Sequence, residues 1–248
     1  MVTPIADDSW KSVKFDPSFN QGRLLKWLSS TTLSVAPGNV RDQSAQAQIS
    51  LAALATINAA NAGVVNSLDT GALGNSSWYY VYMIGDSLNK LPSGGYLSLS
   101  ASAPALPAGY DMFRMIGAVL TDGSAHFLKF YQVNNYFQFD APISVLSGGT
   151  ATSYTAIDLS VAVPPVNFGL VTLYSAYTPA TANNAAKFRP TGATADWQIQ
   201  TGQVAAKISD NQFKILPLVA AAKPEIDYLV GNGSDALSVS VQGFDMVL

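Results

Sequence analysis

Of the 16 acidic residues in this 248-residue chain only Glu225 is a glutamate, and all the others are aspartate. A long amphipathic helix draws on glutamate, lysine and leucine. Aspartate beside Gly, Ser, Asn or Pro instead bonds its own backbone and marks turns. Turn clusters recur along the chain: Pro37-Gly38, Gly85-Asp86-Ser87, Asp122-Gly123-Ser124, Asn134-Asn135, Pro164-Pro165, Pro190-Thr191-Gly192, Asp210-Asn211 and Asn232-Gly233-Ser234. Short strands fit between them and long helices do not.

Between these turns the apolar pattern has a period of two. Thr32-Leu33-Ser34-Val35 is followed by alternating Ile49, Leu51, Ala53, Ala55 and Ile57. The run Trp78-Tyr79-Tyr80-Val81-Tyr82-Met83-Ile84 is apolar on both faces, which predicts a central strand. Residues 113–120, 126–132 and 136–140 read as a β-meander, because Asp-Gly and Asn tolerate the positive φ of tight hairpins. Further strands are predicted at 154–159, 166–177, 197–200, 204–208, 214–219, 225–230 and 237–247. The expectation is an all-β chain: two antiparallel β-sandwich or jelly-roll-like domains, 31–146 and 147–248, after an extended N-terminal arm, 1–30. The arm couples basic to aromatic residues in Trp10-Lys11, Lys14-Phe15 and Lys26-Trp27 without a regular period. Such a segment docks on its own domain or on a partner, and Trp10, Phe15, Phe19, Arg23 and Trp27 are its candidate contacts.

At 48% hydrophobic and 12% charged, the chain is no disordered tail or coiled coil, and a net charge of −3 offers nothing to phosphate or an anionic membrane. The absence of cysteine excludes thiol catalysis, disulfides and thiolate zinc sites. Residues 1–8 have neither the basic nor the apolar region of a secretory signal. No apolar run reaches the roughly 18–20 residues of a membrane span. The expectation is a soluble protein made in a cytoplasm.

Gly85-Asp86-Ser87-Leu88 spells the four letters of the GDSL hydrolases. A serine nucleophile needs a base, however, and the single histidine, His126, has no Asp three residues before it. A strand region follows where that family needs a helix, so a turn is expected. Gly231-Asn232-Gly233-Ser234-Asp235-Ala236 can be forced onto the dinucleotide fingerprint, but strand-like Leu237-Ser238-Val239-Ser240-Val241 follows it. No Walker loop occurs. Asp residues could supply a glycosidase pair, yet no pair is preferred, and a calcium site around Asn232 and Asp235 is a minor alternative. No catalytic residue, metal or cofactor is assigned, and the protein is expected not to be an enzyme. The aromatic set from Trp78 to Phe139 is read mainly as core or subunit interface. Asn134, Asn135 and Tyr136 are candidate surface contacts for a receptor or glycan.

Several segments together resemble a module of tailed-bacteriophage virion proteins, found in tail fibres, appendages and decoration proteins. They are Trp78-Tyr79-Tyr80-Val81-Tyr82, Leu106-Pro107-Ala108-Gly109-Tyr110, Ile116-Gly117-Ala118-Val119 and Phe130-Tyr131-Gln132, with Leu33 to Gly38 and Leu68 to Gly71 as lead-in and Tyr228 to Gly243 as a companion segment. The resemblance spans about residues 31–248 and carries over no catalytic residue. It implies a non-enzymatic structural protein on the virion surface, made in the host cytoplasm. It further implies a homotrimer bound to other virion proteins, either as a short tail fibre or tail appendage attached by its arm or as a capsid decoration protein. A glycan-binding module is the remaining alternative, with cell-surface glycan as partner.

Overall fold

The computed structural model describes residues 20–21, 23–220 and 223–248. Among these residues there is no helix, and every strand ladder is antiparallel. The N-terminal part holds β1 (Asn20–Gln21), β2 (Leu25–Trp27), β3 (Thr32–Val35), β4 (Gly38–Arg41), β5 (Gln48–Leu51), β6 (Ala55–Asn58), β7 (Trp78–Gly85), β8 (Gly94–Ser98) and β9 (Met112–Leu120). The C-terminal part holds β10 (Phe130–Val133), β11 (Tyr136–Gly149), β12 (Thr155–Asp158), β13 (Phe168–Thr178), β14 (Asn184–Pro190), β15 (Gln198–Gly202), β16 (Ser209–Ile215), β17 (Leu218–Ala220), β18 (Lys223–Val230) and β19 (Ala236–Met246).

The aromatic run of β7 is the centre of a three-stranded sheet, β8-β7-β9, as its two apolar faces require. One face receives two small sheets, β2-β3-β6 and β1-β4-β5. Glycine makes that approach close enough. A Cβ on Gly95 would stand 2.6 Å from Ile57 Cδ1, and one on Gly117 would stand 2.7 Å from Leu25 Cδ1. The opposite face carries tyrosines whose rings are buried and whose hydroxyls need partners. Residues 99–111 fold over it and supply them. Tyr82 Oη donates to Ser100 O at 2.6 Å, and Tyr96 Oη to Ala105 O at 2.9 Å. The Leu106–Tyr110 segment closes this cover: Tyr110 N donates to Pro107 O at 3.1 Å, and Gly109 takes φ +86°.

The C-terminal part is a sandwich of β10-β11-β19-β13-β16 against β12-β18-β14-β15, with β17 added beside β18. Phe188 and Phe213 meet across it with ring centres 4.9 Å apart, and Ser175 Oγ donates to Gln200 Oε1 at 2.6 Å. The all-β, antiparallel sandwich architecture therefore agrees with the reading of the sequence.

Several details differ. The meander is formed only in part: β10 and β11 make the expected hairpin, but β9 meets the run after it through one antiparallel bridge, Thr121 to Phe127, and pairs along its length with β7, while the hairpin joins β19. The boundary expected between 146 and 147 falls inside β11, which runs through it to Gly149. Aromatic packing draws the hairpin across: Phe137 stacks on Phe244 of β19 at 5.7 Å while its edge lies against Gly117 of β9. The alternating run from Ile49 to Ile57 is two strands in different sheets, broken where Ala53 is exposed. Asp210-Asn211 is not a turn but lies within β16, an edge strand whose outward positions tolerate polar side chains. Residues 204–208 form a connection, with Ala206 at φ +58°, instead of a strand. Five strands were not anticipated: β1 and β2, which pair with β4 and β3 inside the segment expected as an extended arm, β4, hidden behind a Pro-Gly signal, glycine-rich β8, and β14, whose buried residues include the small Ala186.

Candidate functional site

The GDSL string is the end of β7 and the turn after it. Asp86 is buried there, and its carboxylate accepts the backbone N–H groups of Leu88 (2.9 Å), Lys90 (2.8 Å) and Leu91 (3.2 Å). These bonds, the one from Leu88 foremost, hold its pKa below the ordinary aspartate value. Ser87 Oγ donates to Asp111 Oδ2 at 2.5 Å. His126 follows the far end of β9, where Leu120 pairs with Trp78, whereas Ser87 follows Gly85, which pairs with Met112. At about 3.3 Å per residue the length of β7 keeps serine and histidine some 25 Å apart. His126 faces the Asp122 carboxylate at 3.8 Å on an exposed turn. Asp235 accepts the Tyr177 hydroxyl (2.7 Å), the N–H groups of Ala180 (2.6 Å) and Asn232 (2.9 Å), and the Asn184 amide (3.1 Å). A carboxylate filled with donors is a structural clamp for loops, the opposite of the cation site considered at Asn232 and Asp235.

Of the candidate arm contacts, Trp10, Phe15 and Phe19 lie outside the described residues. Arg23 and Trp27 are both engaged by their own chain. Arg23 Nη2 donates to Asn135 Oδ1 at 2.7 Å, and Trp27 Nε1 to Phe127 O at 3.0 Å. Burial, with Arg114 nearby, lowers the Arg23 pKa. Asn134 and Asn135 form the tip of the β10–β11 hairpin, Asn134 at φ +54° and exposed. Tyr136 is half-buried, with Lys214 Nζ 4.6 Å above its ring. Asn135 therefore ties the arm to the hairpin, and Asn134 is the freely presented member of the trio.

A cavity of about 660 Å³ opens where β11 bulges away from β19 between Gln138 and Ile143. Leu120, Leu128, Phe139, Pro142 and Val161 line it. At its rim, Lys129 meets Asp140 at 3.1 Å and Tyr131 Oη donates to the same carboxylate at 2.7 Å.

The outer face of β12-β18-β14-β15 carries a cluster that the pattern of the sequence did not single out. Arg189 Nε donates to Asp227 Oδ2 at 3.2 Å, and the guanidinium lies 3.4 Å above the Tyr154 ring. The Tyr154 hydroxyl bonds Asp196, whose second oxygen receives Lys187 Nζ at 3.1 Å. Beside them Trp197, 57% exposed, lines an open hollow of about 700 Å³ with Pro190, Gly192 and Asp196. The loop that builds it follows from local chemistry: Gly192 takes φ +79°, its N–H reaches Asp227 at 3.3 Å, and Trp197 N returns to Phe188 O at 2.9 Å. The partners lie 42 residues apart between Tyr154 and Asp196 and 38 apart between Arg189 and Asp227, so only strand pairing brings them together. Trp197, at the start of the strand expected over 197–200, was the one signal available.

A second surface lies around β16, which among the described residues pairs only with β13. Val204 and Ile208 before it, and Leu216, Leu218 and Val219 after it, are exposed by 39–62%.

No family model matches the chain, and no curated protein matches it. A solved structure described as "CBM4 structure and function" is similar to 48% of this chain over 76% of its own, at 15% identity and a TM-score of 0.24. A structure of infectious bursal disease virus, Gx strain, covers 96% of this chain and 79% of its own at 10% identity and a TM-score of 0.16.

Proposed function

We propose that this protein is a non-enzymatic structural subunit of a tailed-phage virion surface, a short tail fibre or appendage that assembles as a homotrimer and attaches through its N-terminal arm. The supporting observation is the flank of β16, where five aliphatic side chains stand exposed on either side of a strand edge that no described residue pairs. Exposed aliphatic side chains gathered beside a strand edge are surface that a subunit of an assembly buries. The resemblance in the Trp78–Tyr82, Leu106–Tyr110 and Ile116–Val119 segments points to the virion. Attachment falls to Trp10, Phe15 and Phe19, because Arg23 and Trp27 are engaged by their own chain.

Particle reconstruction with copy counting, together with the solution mass of the purified chain, tests this reading. A trimeric mass and labelling at the tail are expected. A monomer at micromolar concentration removes the trimer, labelling spread over the head makes the chain a decoration protein, and absence from particles removes the virion role.

A further inference from the structure

We propose that the Trp197 hollow is a binding site for a neutral hexose oligosaccharide or polysaccharide, with Trp197 stacking on a pyranose ring and Asp196, Lys187 and Arg189 bonding its hydroxyls. This site is separate from the β16 edge and does not rest on the virion role. Exposing an indole costs a chain apolar surface in water, and here that surface borders an open hollow in place of a core. The hollow, about 700 Å³, falls within the roughly 300–1,000 Å³ of ligand clefts.

The polar groups beside it are held before any ligand arrives. Tyr154 fixes Asp196 through its hydroxyl and carries the Arg189 guanidinium on its ring, while Asp227 holds the other side of that guanidinium. Fixed groups bind at a lower ordering cost than free ones. Each also retains capacity. A carboxylate offers about four lone-pair directions, an ammonium three donors and a guanidinium five. The contacts described use only some of them: one each on the two Asp196 oxygens, one from Lys187 and one from Arg189 Nε. The chemistry matches a sugar, which presents a flat C–H face to an aromatic ring and paired hydroxyls, each donor and acceptor, at its edge.

Charge selects the class. Lys187 is balanced by Asp196 and Arg189 by Asp227, so the cluster is electrically neutral as a whole. An anionic glycan or nucleic acid would need unbalanced cations. Ile199, 51% exposed and paired with Lys187 across the β14–β15 ladder, extends the apolar strip beside the indole and gives room for more than one sugar ring.

The test is calorimetric and fluorescence titration of the full chain with cellohexaose, laminarihexaose, maltohexaose and mannohexaose, and with a heparin hexasaccharide as the charged control. At least one neutral hexaose is expected to bind saturably and to change tryptophan emission. Trp197→Ala should weaken it about tenfold or more, the loss of roughly one stacking contact. Trp197→Phe should retain most of the affinity but lose the emission change, and Tyr154→Phe should weaken binding by freeing Asp196. The Trp197 side chain is exposed and its loop is held by backbone bonds, so Trp197→Ala should keep the parent melting temperature and solution mass. Binding by none of the four neutral sugars, equal binding by folded Trp197→Ala, or a preference for heparin would overturn the proposal.

Discussion

Asp235 shows how a single buried carboxylate can organise loops far apart in sequence. It gathers Tyr177, Ala180, Asn184 and Asn232 at the β18–β19 turn while itself fully buried. Burial pushes its pKa up, but the N–H of Ala180, the Tyr177 hydroxyl and the other donors outweigh this and leave it below the ordinary 3.8. Because the folded value lies below the unfolded one, its stabilisation is complete above the unfolded pKa and is lost as pH falls through the folded one. Urea unfolding should therefore show a flat contribution above about pH 5 and a decline below about pH 4 that Asp235→Asn lacks. Asp235→Ala leaves buried donors unpaired and should cost about 3 kcal/mol at pH 7. Tyr177 answers on the alkaline side: burial first, then Asp235, raises its pKa, so its phenol stays protonated well above pH 10. Loss of stability between pH 5 and 8 in the Asp235→Asn difference curve would contradict this assignment.

Strand β19 binds the C-terminal part together, lying between β11 and β13. Its ladders slip at Gly243, which pairs with both Gln138 and Thr172 before Val241 takes up pairing with Ile143 and Leu173. A Cβ on Gly243 would collide with the Phe137 carbonyl oxygen and stand 2.7 Å from the Tyr136 hydroxyl. Gly243→Ala should thus destabilise by about 1–3 kcal/mol, the cost of overpacking, measured as a lowered urea midpoint at an unchanged slope. The β16 edge has the opposite character, being open. Ile208→Glu with Val219→Glu should leave the melting temperature of the isolated subunit nearly unchanged but shift the solution mass toward the monomer. If mass and particle incorporation both survive, assembly uses another face.

The two parts of the molecule are joined by one aromatic cluster. Trp78 of β7 meets Phe244 of β19 edge-on at 5.5 Å, Phe244 stacks on Phe137, and Phe139 and Phe130 complete the group. Trp78 Nε1 also donates to Ser160 O at 3.0 Å. Heat should accordingly produce one cooperative transition, with tryptophan emission and far-ultraviolet dichroism coincident. Phe244→Ala should cost about 3–5 kcal/mol and be the substitution most able to split that transition in two. Two well-separated transitions in the parent chain would mean that the cluster does not couple the parts.

Much of this could be read in the linear chain. Turn chemistry at Asp122-Gly123-Ser124, Asn134-Asn135 and Asn232-Gly233-Ser234, together with the two-faced run from Trp78 to Ile84, was enough to specify an all-β molecule and its central strand, because turns and side-chain alternation are local properties. Local chemistry could not say which strands pair. The β10–β11 hairpin left β9 for β19 because Phe137 and Phe139 bury against Phe244, more than a hundred residues away. For the same reason Tyr154, Lys187, Arg189, Asp196 and Asp227 read singly as unremarkable polar positions. They become one surface only when β12, β18 and β14 lie side by side, since hydrogen-bond register between distant strands, and nothing nearer in the chain, sets who neighbours whom.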